Sequence, residues 1–103
     1  MNEPHSLHVF GTKYRLKRLS RLSKRGLDGE CDKESKTIAV DAALKGEQYW
    51  ECLLHELFHA VERECSIEQA VPLEVLEIIN DIYAKAVVKN CNLSHKMDKK
   101  RSK

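Results

Sequence analysis

No stretch of the 103 residues approaches the roughly 18 consecutive apolar side chains that a membrane-spanning helix needs. The opening Met1-Asn2-Glu3-Pro4-His5 also lacks the apolar segment of a secretory signal. The expectation is a cytoplasmic protein with no membrane partner. No Cys-x-x-Cys pair occurs among Cys31, Cys52, Cys65 and Cys91, which leaves a zinc ribbon or a thioredoxin-like motif unsupported. In a reducing compartment these are expected to be free, mostly buried thiols. There is no internal repeat. With 42% hydrophobic and 33% charged residues the chain is sized for one domain with a small core, and a two-domain enzyme is excluded.

An excess of charge is missing too, since 18 basic against 16 acidic residues give +2, too little to argue for a nucleic-acid partner. The distribution, however, is lopsided. A basic run extends from Lys13 to Arg25, whereas Trp50 to Asp81 holds eight acids against Arg63 alone. A nucleic-acid surface on the basic run would need interleaved aromatics, and only Tyr14 is present.

Alternation of Leu7 and Val9, then Tyr14 and Leu16, broken at Gly11, predicts two strands joined by a tight turn. Leu16, Leu19 and Leu22 recur every third residue, so residues 15–25 also admit a helical reading. Lys36 to Val40 is a β-branched run that predicts a strand near a sheet edge. Glu47 to about Cys65 has no Pro or Gly and a helical apolar period. Pro72 suits the first turn of a second helix, which is predicted to reach about Lys89 with Asn90 as its cap. The expected organisation is one domain over residues 1–91 followed by a basic, mobile tail over 92–103. The expected fold is α+β: a small, twisted, mostly antiparallel sheet packed on the first helix, with the second helix completing a site.

That site starts from His55-Glu56-Leu57-Phe58-His59, which spells His-Glu-x-x-His. At about 100° per residue, His59 falls about 40° from His55, while Trp50, Leu53, Leu57 and Val61 gather on the opposite face. Two imidazoles on one helix face can grip a single ion, and a catalytic zinc wants a third protein ligand. Glu62 lies seven rises of about 1.5 Å from His55, too far for a straight helix to converge all three. No further histidine occurs before His95. Carboxylates beyond the first helix remain as donors: Glu68, Glu74, Glu77 and Asp81.

Glu77-Ile-Ile-Asn80-Asp81, beginning eighteen positions after His59, resembles the glutamate helix of the gluzincins, the thermolysin-like metallopeptidases. The same helix resembles the Glu-x-x-Ala-Asn-x-Phe-Ala pattern of ImmA/IrrE-type peptidases, with Asn80 and Asp81 departing from it and Tyr83 and Ala84 in the later positions. Cys31-Asp32 followed by Thr37-Ile38-x-Val40, and then Leu53-Leu54-His55-Glu56-Leu57-x-His59-Ala60, is similar to the small single-domain minigluzincins. The resemblance covers about Tyr14 to Asn90.

It implies a zincin-like domain holding one Zn²⁺ on His55, His59 and Glu77, with Asp81 bracing His55. The activity implied is hydrolysis of a peptide or protein substrate. Glu56 would take a proton from a water activated at the metal and return it to the leaving amine. Thr37, Ile38, Ala39 and Val40 would offer a strand edge to the substrate. Tyr83, Tyr49 and His95 are the candidate transition-state stabilisers, although Tyr83 also reads as a core residue beside Ile79 and Ile82. A latent form, in which Cys91 or His95 blocks the cleft, and a catalytically silent zinc-stabilised interaction module are the alternatives. Oligomeric state and substrate identity are not set by these residues.

Overall fold

The computed structural model describes residues 5–20, 22 and 26–91. The tail over 92–103, with His95, lies outside them, as does most of 21–25. The described residues form strands β1 (Ser6–Val9), β2 (Thr12–Leu19), β3 (Gly29–Asp32) and β4 (Thr37–Asp41), then helices α1 (Gly46–Glu64) and α2 (Leu73–Cys91). A single 3₁₀ turn, Ile67–Gln69, reverses the chain between the helices. No helix among the described residues is long and apolar enough to cross a membrane.

The turn between β1 and β2 places Phe10 and Gly11 at φ 49° and 86°, the left-handed pair whose twist matches that of two antiparallel strands. The helical alternative for residues 15–25 fails through Leu19, because β2 holds its alternation and Leu16 faces the core while Leu19 stands exposed. The sheet order is β1-β2-β4-β3, antiparallel at its two outer pairings and parallel between β2 and β4.

This order corrects the placement of Thr37 to Val40. The segment is an interior strand, hydrogen-bonded on both sides, with Ile38, Ala39 and Val40 consecutively buried between its neighbours. The sheet edges are β1 and β3, the latter the Gly- and acid-rich segment that precedes β4. Asp32 Oδ1 accepts the N–H groups of Glu34 and Ser35 at 3.1 and 3.2 Å, which shapes the turn from β3 into β4.

One sheet face, with Val9, Tyr14, Ile38 and Val40, packs on Trp50, Leu53 and Ala60 of α1. Arg18 fixes where α1 begins. Its guanidinium donates to the carbonyls of Asp41, Ala42 and Leu44 at 3.2, 3.3 and 2.7 Å and lies 4.2 Å from the centre of the Tyr49 ring. Tyr49 is thereby a core residue under Arg18. The α2 helix starts just after Pro72, whose carbonyl accepts from Val75 and Leu76. It runs past the expected stop: Asn90 is helical, and its amide donates to the Ala86 carbonyl at 2.7 Å. The thiol expectation holds for half-buried Cys31 and Cys52, while Cys65 and Cys91 are exposed.

Glu64, at the C-terminal end of α1, faces the unfavourable end of the helix dipole and is held by three donors. These are Thr12 Oγ1, Tyr14 OH and Lys36 Nζ, at 3.1, 2.7 and 3.0 Å. They tie the first hairpin and the β3–β4 turn to α1. The hydrogen bond from Tyr14, followed by that from Lys36, holds the Glu64 carboxyl below its ordinary range. A carboxylate depressed in the folded state stabilises above its unfolded value and loses that contribution as pH falls toward its folded value. Glu64→Gln is therefore expected to lower Tm at pH 7, with the difference from wild type shrinking below about pH 4. Thermal melts across that range check it, and a difference independent of pH contradicts it.

Candidate metal centre

The His-Glu-x-x-His turn lies in the middle of α1, on the side away from Trp50 and Leu53, and α2 crosses it. Packing of α2 through Leu76, Asn80, Ala84 and Val88 brings Glu77 over both imidazoles. Glu77 Oε1 lies 2.6 Å from His55 Nε2 and 3.0 Å from His59 Nε2. One ligand atom from each of His55, His59 and Glu77 falls within 4.8 Å of the others, so this cluster can hold a metal ion. Burial pushes the Glu77 carboxyl up, but hydrogen bonds and charge from His59 and His55 outweigh it and leave Glu77 below its ordinary value.

His59 is anchored from behind by residues that sequence reasoning missed. Its Nδ1 lies 3.0 Å from Glu62 Oε1, and Asn80 Nδ2 donates to the same oxygen at 3.2 Å. All three are nearly closed off from solvent, with His59, Glu62 and Asn80 exposed by 6%, 8% and 3%. With its Nδ1 side held by Glu62, His59 turns its Nε2 toward the Glu77 oxygen 3.0 Å away, the orientation of a metal-ligating histidine backed by a carboxylate.

Glu62 was set aside as a ligand by its distance from His55, but its spacing three residues after His59 suits it to orient that ring. Asn80 follows Glu77 by the same spacing. Loss of such a supporting partner typically weakens metal affinity 10–100-fold. Glu62→Gln is expected within that range, about tenfold or more, by competition with a chromophoric chelator. An unchanged affinity removes the supporting role.

Asp81 is not where the resemblance put it. Its carboxylate is bonded by Lys85 at 2.7 Å, one turn along α2, instead of by His55. The reason is helical phase: Asp81 lies about 40° around α2 from Glu77, toward solvent, where the lysine reaches it first. Tyr83 is neither core nor adjacent to the imidazoles. It is 61% exposed on the outward face of α2, and Ile79 and Ile82 are outward with it. Among the candidate stabilisers, none of the described tyrosines borders the clefts at Glu56.

Glu56 lies beside the ligand set and borders two clefts. One, of about 520 Å³, is lined by Gln48, Glu51, Cys52, His55, Glu77 and Asp81 among others. The other, of about 250 Å³, is bounded by Gly29, Glu30, Cys31 and Lys33 of the β3 side with His59, Leu73 and Glu77. Burial pushes the Glu56 carboxyl up to about 7 against the opposing charge of His55, while Glu77 and Glu30 add repulsion. A carboxyl with that value can take and return a proton near neutrality.

The closeness of β3 to Glu56 depends on Gly29. A Cβ there would stand 2.5 Å from Cys52 Sγ, 2.9 Å from the Ala39 carbonyl oxygen and 3.3 Å from Glu56 Cγ. The two half-buried thiols belong to the same wall. Burial first and the Glu56 charge second push Cys31 up to about 11 and Cys52 up to about 12, so both stay protonated at neutral pH.

No protein-family model, no curated protein and no solved structure matches this chain, so its function is argued from these residues.

Proposed function

We propose that the protein is a zinc-dependent, gluzincin-like peptidase in which His55, His59 and Glu77 hold one Zn²⁺ and Glu56 serves as general base. The observation that carries the reading is the convergence of both Nε2 atoms on one oxygen of Glu77, with Glu56 beside them and outside the ligand set. Two imidazoles and a carboxylate suit zinc and leave a position open, as catalytic sites do. When bound, zinc supplies Lewis acidity toward water and the scissile carbonyl.

The remaining work falls to the chain's own groups. Glu56 takes a proton from the attacking water on its carboxylate and delivers it to the amine nitrogen as the peptide bond breaks. His59 keeps its orientation through Glu62 and Asn80. An extended peptide can pair with the free edge of β3, whose Gly29, Glu30 and Cys31 border the cleft at Glu56. This role passes from Thr37–Val40 to the neighbouring strand.

The test is cleavage of a mixture of unstructured peptides by the zinc-loaded chain, read by mass spectrometry. Cleavage is expected to stop with chelator and return with zinc. A second reading, a silent zinc-stabilised interaction module, is favoured by the exposed apolar face of α2. It predicts that zinc raises Tm while no peptide is cut.

A further inference from the structure

Glycine weakens a strand, because it packs nothing and loses more conformational freedom on folding than any other residue. Gly29 nevertheless opens β3, paired with Val40, and its φ is outside the left-handed region that Gly11, Gly26 and Gly46 occupy. The backbone conformation therefore does not demand glycine here. The space does. A Cβ would meet Cys52 Sγ of α1 at 2.5 Å and the Ala39 carbonyl oxygen of β4 at 2.9 Å, with Glu56 Cγ at 3.3 Å.

Gly29 also stands where the two clefts meet, since it lines both, together with Leu27, Glu56 and Glu77. The Asp41 N–H donates to the Asp28 carbonyl at 2.7 Å, and the antiparallel register continues through Gly29–Val40, Glu30–Ala39 and Cys31–Ile38. Hydrogen-bonded pairs alternate along such a ladder, so Asp28 and Glu30 direct their main-chain groups to β4, while Gly29 and Cys31 turn theirs to the open edge. Beyond the other end of β3, Lys33 is bound to Glu68, which Arg63 also reaches at 3.3 Å. With that end tied, and with Ala39 and Cys52 set in β4 and α1, a side chain at position 29 displaces its own end of β3.

We propose that Gly29 is a positioning residue, whose missing side chain seats β3 at the spacing that puts a peptide paired on Gly29 and Cys31 within reach of Glu56. The inference rests on the peptidase reading. Rate is steep in this spacing, a misplacement of about 1 Å costing on the order of 10²-fold. The metal-binding groups belong to α1 and α2, so a shift of β3 leaves them in place.

Steady-state kinetics of the zinc-loaded full chain, on a peptide that the wild type cuts, test this beside zinc affinity measured by chelator competition. Gly29→Ala is expected to lower kcat by about 10- to 100-fold, with a smaller change in KM and unchanged zinc affinity. Adding Cys52→Ala, which removes the nearest obstruction, is expected to recover most of the loss. Wild-type kcat in Gly29→Ala overturns the proposal, as does a loss confined to KM or a double variant no faster than the single one. If Gly29→Ala does not fold, Cys52→Val fills the same gap from the α1 side, and an unchanged kcat there overturns the proposal equally. A wild-type chain that binds zinc and cuts no peptide removes the peptidase reading itself, and the role of Gly29 with it.

Discussion

Glu56→Gln is expected to keep the metal and to lose peptide hydrolysis by about 10³-fold, within the range that a positioned proton acceptor contributes. Glutamine has the shape of glutamate, so the packing of Glu56 against the β3 side is retained. Its amide cannot accept a proton from water or pass one to an amine. Because burial already raises the Glu56 carboxyl to about 7, the neutral side chain removes a costly buried charge, and the fold is not weakened. Metal content and cleavage rate measured on the same preparation separate the outcomes. Metal loss in the variant contradicts a role outside the ligand set, and unchanged cleavage contradicts the role of base.

Glu77→Ala carries the other large effect. Supporting partners contribute 10–100-fold to metal affinity, and removal of one of three ligands is expected to cost more than about 100-fold. Bound metal stabilises in proportion to the logarithm of its concentration over Kd, so the rise in Tm on adding zinc to wild type is expected to vanish in the variant. Without metal the two proteins are expected to melt within a few degrees of each other, because the Glu77 side chain is half exposed and contributes little packing. A variant that still takes up one zinc with wild-type affinity would falsify the ligand set. A variant that unfolds without metal would instead make Glu77 a structural residue.

The first hairpin, both helices and the pairing of His55 with His59 were legible because each rests on local repetition. Tyr14 and Leu16 alternate with basic neighbours, and the apolar positions of α1 fall on one side of a 3.6-residue period. The position of β4 was not legible. A short β-branched run reads the same at an edge as in the interior, and only the crossover that brings β2 alongside β4 distinguishes them. Tyr83, Ile79 and Ile82 looked like core because a periodic pattern marks an apolar side without saying which of two apolar sides meets the protein.

Asp81 and Glu62 show the same boundary at the site itself. The Glu-x-x-x-Asp spacing put Asp81 near Glu77 along the chain, yet a few tens of degrees of helical phase hand it to Lys85. Glu62 and Asn80 are eighteen residues apart and meet at His59 only because α2 crosses α1 at that level.

What the sequence by itself determined is what neighbours within about two helical turns carry: the first hairpin, the strand at Thr37–Asp41, the two helices, and two imidazoles facing one way with a carboxylate between them in the chain, but not β3. The tertiary structure decided which distant acid stands over those imidazoles, which buried pair holds His59 from behind, and which strand is left open beside Glu56. Those choices depend on the angle and level at which separate elements pack. Local chain chemistry does not encode that angle until the elements meet.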